Sequence, residues 1–174
     1  MVPLTRFKDI RYKEPKFFSF AKPLENIIGF DSEAYRSGHS FMFCTSLGDV
    51  ISPDRLIETL FTDKYRKANF VVWNLKYESG AILKLLPQEI IKHLQVHHKA
   101  KIVHKGIKYE IKYIPHKCLS IRQRKFAGTS IKFWDMAPFY GRIKLNTAAE
   151  AYIGEKKDDI DPNLFTVPYV EENF

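Results

Sequence analysis

Apolar and polar positions change period several times along the chain, and each change marks an element. The unbroken apolar run Ile27 to Phe30 reads as a buried strand. Asp31 and Glu33 at its end stand two residues apart, so an extended backbone projects both to one side. Ser37-Gly38-His39 then turns the chain into a second strand, Ser40 to Thr45, and Gly48-Asp49 turns it into a third, Val50-Ile51. Connections this short permit only antiparallel pairing. Ser52-Pro53-Asp54 carries the signals of a helix start: an N-cap, a proline in the first turn and an acid at the positive end. Leu56, Ile57, Leu60 and Phe61 share a face of the helix expected to follow as far as about Lys67, a crossover.

Asn69 to Trp73 is a short apolar run rich in β-branched and aromatic residues, expected as a buried strand parallel to the first. After Asn74-Leu75-Lys76-Tyr77-Glu78 the pattern predicts a helix over Ser79 to Leu86, with Ala81, Ile82, Leu85 and Leu86 inward, and another over Pro87 to Leu94. Polar groups at the carboxyl end of a strand are where open α/β sheets bind ligands, so Asn74 and Glu78 are expected beside Asp31 and Glu33. From Lys101 the period becomes two. Lys101 to His104, the turn Lys105-Gly106 and Ile107 to Ile114 form one expected hairpin; Cys118 to Arg122 and Ser130 to Asp135, joined through Phe126-Ala127-Gly128, form a second. Asn146 or Thr147 is expected to cap a helix, with Glu150 placed for a capping box and Gly154 ending it; a polar turn and a short tail follow. Residues 1–24 are basic and aromatic without clear period and read as a lead-in segment.

Charge changes the picture. The formal net charge is +8, which suggests a polyanionic partner. Ten Lys or Arg residues but one acid, Glu110, lie between Lys99 and Lys132, whereas residues 155–174 hold six acids against Lys156 and Lys157. A basic surface holds phosphates and an acidic cluster holds cations, which is the pairing a metal-dependent nuclease needs. A merely solvated basic face is the plain alternative. The length of 174 residues suits one domain. No apolar run reaches the ~18 residues of a membrane span, and residues 1–24 lack a signal-peptide core. Two cysteines, Cys44 and Cys118, are too few for a disulfide framework. A soluble, cytoplasmic protein is therefore expected.

Two carboxylates side by side at the mouth of a core repel each other and are best tolerated with a divalent cation between them. The ordinary alternative is a strand running into a polar turn. Downstream residues add to the first reading. Phe30-Asp31-Ser32-Glu33, followed some forty residues later by a strand and Asn74-x-x-Tyr77-Glu78, resembles the first two motifs of the DEDD 3′-to-5′ exonucleases, specifically the exonuclease domain of protein-primed family B DNA polymerases. Lys157-Asp158-Asp159-Ile160 is similar to that family's Lys-x-x-hydrophobic motif, and the resemblance extends over most of Ile27 to Asp161.

The resemblance implies an α/β ribonuclease H-like mixed sheet with flanking helices and an inserted basic hairpin region. It implies Asp31, Glu33 and Glu78 as ligands of Mg²⁺ or Mn²⁺, and Lys157 facing the scissile phosphate. Asn74 and Tyr77 would hold the 3′-terminal nucleotides of single-stranded DNA, and Arg122, Arg124 and Lys125 would contact the strand. A polymerase domain in a longer chain is an implied partner. Core filling for Tyr77 and a solvated charge for Lys157 are the alternatives.

The chain departs from the family in three places. Glu78 stands where Asp is usual, Ala34 where a hydroxyl residue often follows, and the third motif, Tyr-x-x-x-Asp on a helix, is matched only by Tyr169-x-x-x-Asn173. Either the chain stops before that helix or it is a degenerate relative. Weak activity is expected in consequence, and a catalytically inactive nucleic-acid-binding protein is the second reading. A third, a zinc-stabilised module using His97, His98, His104, His116 and Cys118, matches no standard ligand spacing.

Overall fold

The structure, a computed structural model, describes residues 26–66, 68–124, 130–155 and 166–173. Its organising strand is β1, Ile27–Ala34. Ile28, Phe30 and Ser32 are buried on one face, and Asp31 and Glu33 alternate onto the other. The strand runs four residues beyond the expected apolar run, so the two acids lie within it. Pairing explains the extension: antiparallel β2, Ser40–Thr45, bonds β1 from Phe30 to Ala34, and ladder hydrogen bonds satisfy a backbone whatever side chains it carries. Val50–Ile51 is β3, completing the expected meander.

The crossover helix is shorter than its periodicity suggests. A 3₁₀ turn over Pro53–Arg55 leads into α1, Leu56–Leu60, and Ser52 makes no side-chain cap. The chain leaves the helix at Phe61, where Thr62 Oγ1 donates back to the Thr59 carbonyl at 2.8 Å. A second 3₁₀ turn, Asp63–Tyr65, then buries Tyr65 against Phe70, with its hydroxyl on Asp49. Burial of a large aromatic side chain outweighs the small gain from another helical turn.

β4, Asn69–Val72, lies parallel beside β1 as expected. α2 occupies Leu75–Leu83, four residues earlier than Ser79 at its start and three earlier than Leu86 at its end. Fully buried Leu75 draws the first turn onto the core, while Pro87 disfavours helical backbone at Leu86. Ala81 and Ile82 point inward, but Leu85 is exposed. α3, Gln88–His97, leads to β5, Lys99–His104, then β6, Ile107–Ile114, β7, Cys118–Gln123, and β8, Ser130–Asp135. α4, Leu145–Ile153, starts before Asn146, and Lys144 occupies its N-cap position with no side-chain cap, so the expected capping box is not formed. Gly154 ends that helix at φ 73°, a left-handed conformation that glycine takes without penalty. The expected tail instead forms α5, Val167–Asn173, with Pro168 in its first turn and Val170 buried.

Among the described residues, eight strands join one mixed sheet of order β3-β2-β1-β4-β8-β7-β6-β5. β1, β4 and β8 are mutually parallel, and the remaining neighbours are antiparallel. The architecture is thus α/β, with helices packed on a mixed sheet. An aromatic cluster pins the parallel strands: Phe70 stacks on its register partner Phe133 at 5.0 Å, and Phe30 meets both rings edge-on at 5.5 and 5.0 Å. Burying each ring contributes about 1.5–3 kcal/mol, and together they fix the register of β1, β4 and β8. Cys44 and Cys118 form no disulfide. Among the described residues no helix is long and apolar enough to cross a membrane.

Candidate functional site

At the carboxyl ends of β1 and β4 the sheet opens into a cleft of about 710 Å³. Asp31 and Glu33 from β1, Asn74 after β4, and Tyr77 and Glu78 from the first turn of α2 all line it. Two separate causes bring them together. The parallel pairing of Ile27 with Asn69 and of Gly29 with Val71 sets β1 and β4 in register. The immediate start of α2 then folds Tyr77 and Glu78 back over the strand ends.

The five residues differ in environment. Glu78 is buried, 5% exposed, at the cleft wall. Asp31 is half-buried, and its Oδ1 accepts the Ser32 amide at 3.0 Å. Tyr77 lines the cleft and is 49% exposed, which rules out core filling. Asn74 is exposed and does not cap α2 with its side chain. Gly29 also belongs to the lining: its amide donates to Ser46 Oγ at 2.9 Å.

The three carboxylates are all hard oxygen donors, which suits Mg²⁺ or Mn²⁺ in donor type. Their fit is that of a shared lining. Among the described residues no three His, Cys, Asp or Glu side chains, Asp31, Glu33 and Glu78 included, are grouped so as to hold a metal ion. The histidines and cysteine of the zinc alternative are likewise not gathered: His104 Nε2 pairs with Glu58 at 3.0 Å, and His97 packs on the His93 ring.

Lys125 and Lys157 lie outside the described residues. Arg122 is on β7, three strands from β1, and Arg124 just beyond it faces Gly106 and Lys108; neither lines the cleft. One acid escaped notice in the sequence. Asp135 ends β8 opposite Val72, is 6% exposed, and accepts the Ala137 amide at 3.1 Å. It lines an adjoining hollow that shares Trp73, Asn74 and Leu145 with the main cleft. The signal was available, since Asp135 closes an apolar strand as Asp31 follows one. Its partly buried bond to Ala137 gives it the role of fixing the turn after β8.

Comparison of the chain with protein-family models, with curated proteins and with solved structures finds no match.

Proposed function

We propose that this chain is a 3′-to-5′ exonuclease module of ribonuclease H-like fold that acts on single-stranded DNA ends. The observation that carries the reading is the convergence of Asp31, Glu33, Glu78, Asn74 and Tyr77 on one cleft. The strand order supports it as well. An antiparallel meander β3-β2-β1 continued by parallel β4 and β8 is the sheet order of that fold, and β5, β6 and β7 stand as an addition beyond β8.

In this reading Asp31, Glu33 and Glu78 hold the divalent cations, Mg²⁺ or Mn²⁺. When bound, these neutralise the scissile phosphate and polarise the attacking water and the leaving oxygen. Asn74 hydrogen-bonds the terminal nucleotide, and Tyr77 stacks on its base whatever the sequence, as a stepwise nuclease requires. The resemblance would add Lys157, outside the described residues, as the group at the phosphate, and a polymerase domain in a longer chain would supply the strand.

A second reading, an inactive nucleic-acid-binding relative, draws on Asn173 in α5. It occupies the position of the family's fourth acid and carries no charge. Under the exonuclease reading, the three carboxylates would leave part of the charge of two divalent ions unneutralised, so the second ion would bind weakly and hydrolysis would be slow. Mn²⁺, with less demanding geometry, gives the higher rate.

The test is degradation of a 5′-labelled single strand with Mn²⁺ by wild type and Asp31→Ala side by side. The exonuclease reading expects a ladder of shortened products from wild type alone. Equal rates from both proteins would overturn it, and binding without any product would favour the inactive relative.

A further inference from the structure

The pleat that turns Asp31 and Glu33 away from the core turns a set of cations onto the same face. Register fixes this across the sheet. Ile27 pairs with Asn69, Asn69 with Lys132, Lys132 with Ser120, Ser120 with Lys112, and Lys112 with Lys99. Residues directly opposite point to one face, so Lys99, Lys112 and Lys132 stand in a row on the face that also carries Asp31. Lys101, Lys108 and Arg122 share it by the same pairing, and all six are exposed. Against them, Glu110 is the one acid on this face among the described residues of β5 to β8.

This arrangement has a cost that a merely solvated face avoids. Lys99 and Lys112 are direct cross-strand partners, and like charges so placed destabilise a sheet. Glu110 lies 3.2 Å from Lys99 and 3.8 Å from Lys112 and offsets only part of it. Its carboxyl is held below its usual range first by Lys99, then by Lys112 and Arg122, so one acid answers to three cations. Lysines on an edge strand protect it from aggregation. That accounts for Lys99 and Lys101 on β5 but not for Lys112, Arg122 and Lys132 on interior strands.

Between the cations and the cleft stands an aromatic group. Trp134 is on the same face as Lys132, whose Nζ is 5.8 Å from the indole centroid. Its register partner across β4 is Val71, which lines the cleft. The order across the face is therefore lysines, indole, carboxylates.

We propose that the outer face of β5 to β8 is a track for the sugar-phosphate backbone of a single strand, running over Trp134 into the cleft. Phosphates meet Lys99, Lys112 and Lys132, and a base stacks on Trp134, the combination by which single strands are held without sequence preference. Five strand spacings separate β5 from β1, about 24 Å, so the track holds nucleotides upstream of those in the cleft. The proposal rests on the exonuclease reading for the strand's polarity alone.

The experiment is fluorescence anisotropy with 5′-labelled oligothymidylates of about three and about twelve nucleotides, metal chelated, over a range of salt. The proteins are wild type, Lys112→Ala/Lys132→Ala, the corresponding double arginine variant, and Lys92→Ala on the exposed side of α3 as a control. The alanine pair should weaken binding of the longer strand about tenfold and reduce the salt slope by about 1.4, two contacts at about 0.7 each. The trimer should be unaffected, and the arginine pair and Lys92→Ala should match wild type. Unchanged affinity for the longer strand, or an equal loss in Lys92→Ala, would overturn the track. Hydrolysis with Mn²⁺ separates the two ideas: Asp31-dependent cleavage with binding indifferent to Lys112 and Lys132 removes the track alone. Binding that depends on those lysines without Asp31-dependent cleavage removes the exonuclease reading and keeps the track.

Discussion

The Gly29 amide donates to Ser46 Oγ at 2.9 Å, and a methyl group on Gly29 would stand 3.2 Å from Ser46 Cβ. β1 and the turn after β2 therefore approach closely just before the acids of the cleft. The contact is tighter than ordinary van der Waals packing, so any side chain at position 29 pushes the turn outward. Gly29→Ala should cost about 1–2 kcal/mol through crowding and a strained hydrogen bond. Gly29→Val should cost more. Thermal denaturation measures both, and Ser46→Gly combined with Gly29→Ala should recover part of the loss. Additive losses in the double variant would mean the two residues are not coupled.

Tyr77 offers a prediction that separates binding from packing. Because the ring is 49% exposed, Tyr77→Ala should change the melting temperature little. Loss of one stacked base should nonetheless weaken binding of a short single strand by about 1–3 kcal/mol, and Tyr77→Phe should retain it. A large loss of stability with unchanged binding would return Tyr77 to the core.

A third prediction concerns acid. Glu58 on α1 takes Lys105 at 2.5 Å and His104 at 3.0 Å on one oxygen, tying the β5–β6 turn to the helix. The Lys105 hydrogen bond, with smaller help from backbone and His104, lowers its carboxyl from 4.5 to about 2. A depressed folded-state value means the contribution is complete above pH 4.5 and is lost as pH falls toward 2. The side chain is 39% exposed, so at neutral pH it amounts to less than about 1 kcal/mol. Wild type should therefore lose its advantage over Glu58→Gln across that window in a series of thermal melts. Parallel curves for the two proteins would show that the ion pair does not couple to folding.

What the sequence determined by itself is the set of strands and the chemistry of their ends. Two-residue alternation identified β6 through Tyr109 and Ile111, and compact apolar runs identified β1 and β4, because burial on a pleated sheet imposes a period that is local. The turns at Gly38, Gly48, Gly106 and Gly154 were legible for the same reason, since each takes a positive φ that favours glycine. Asp31, Glu33, Asn74, Tyr77 and Glu78 were legible as a group because the residues after two parallel strands must meet at one edge.

Tertiary structure alone decided where α1 ends and where α2 begins. Tyr65 left the expected helix to bury its ring, and Leu75 began α2 early to reach the core. The capping signals at Ser52, Asn146 and Thr147 gave way to backbone geometry. Only the sheet order could reveal that Lys112 and Lys132 share a face with Asp31, because that relation runs through hydrogen-bonded partners distant in the chain. Local propensity is worth tenths of a kcal/mol per residue, whereas a buried aromatic or leucine side chain is worth about 1.5–3 kcal/mol. Where the two conflict, packing sets the boundary.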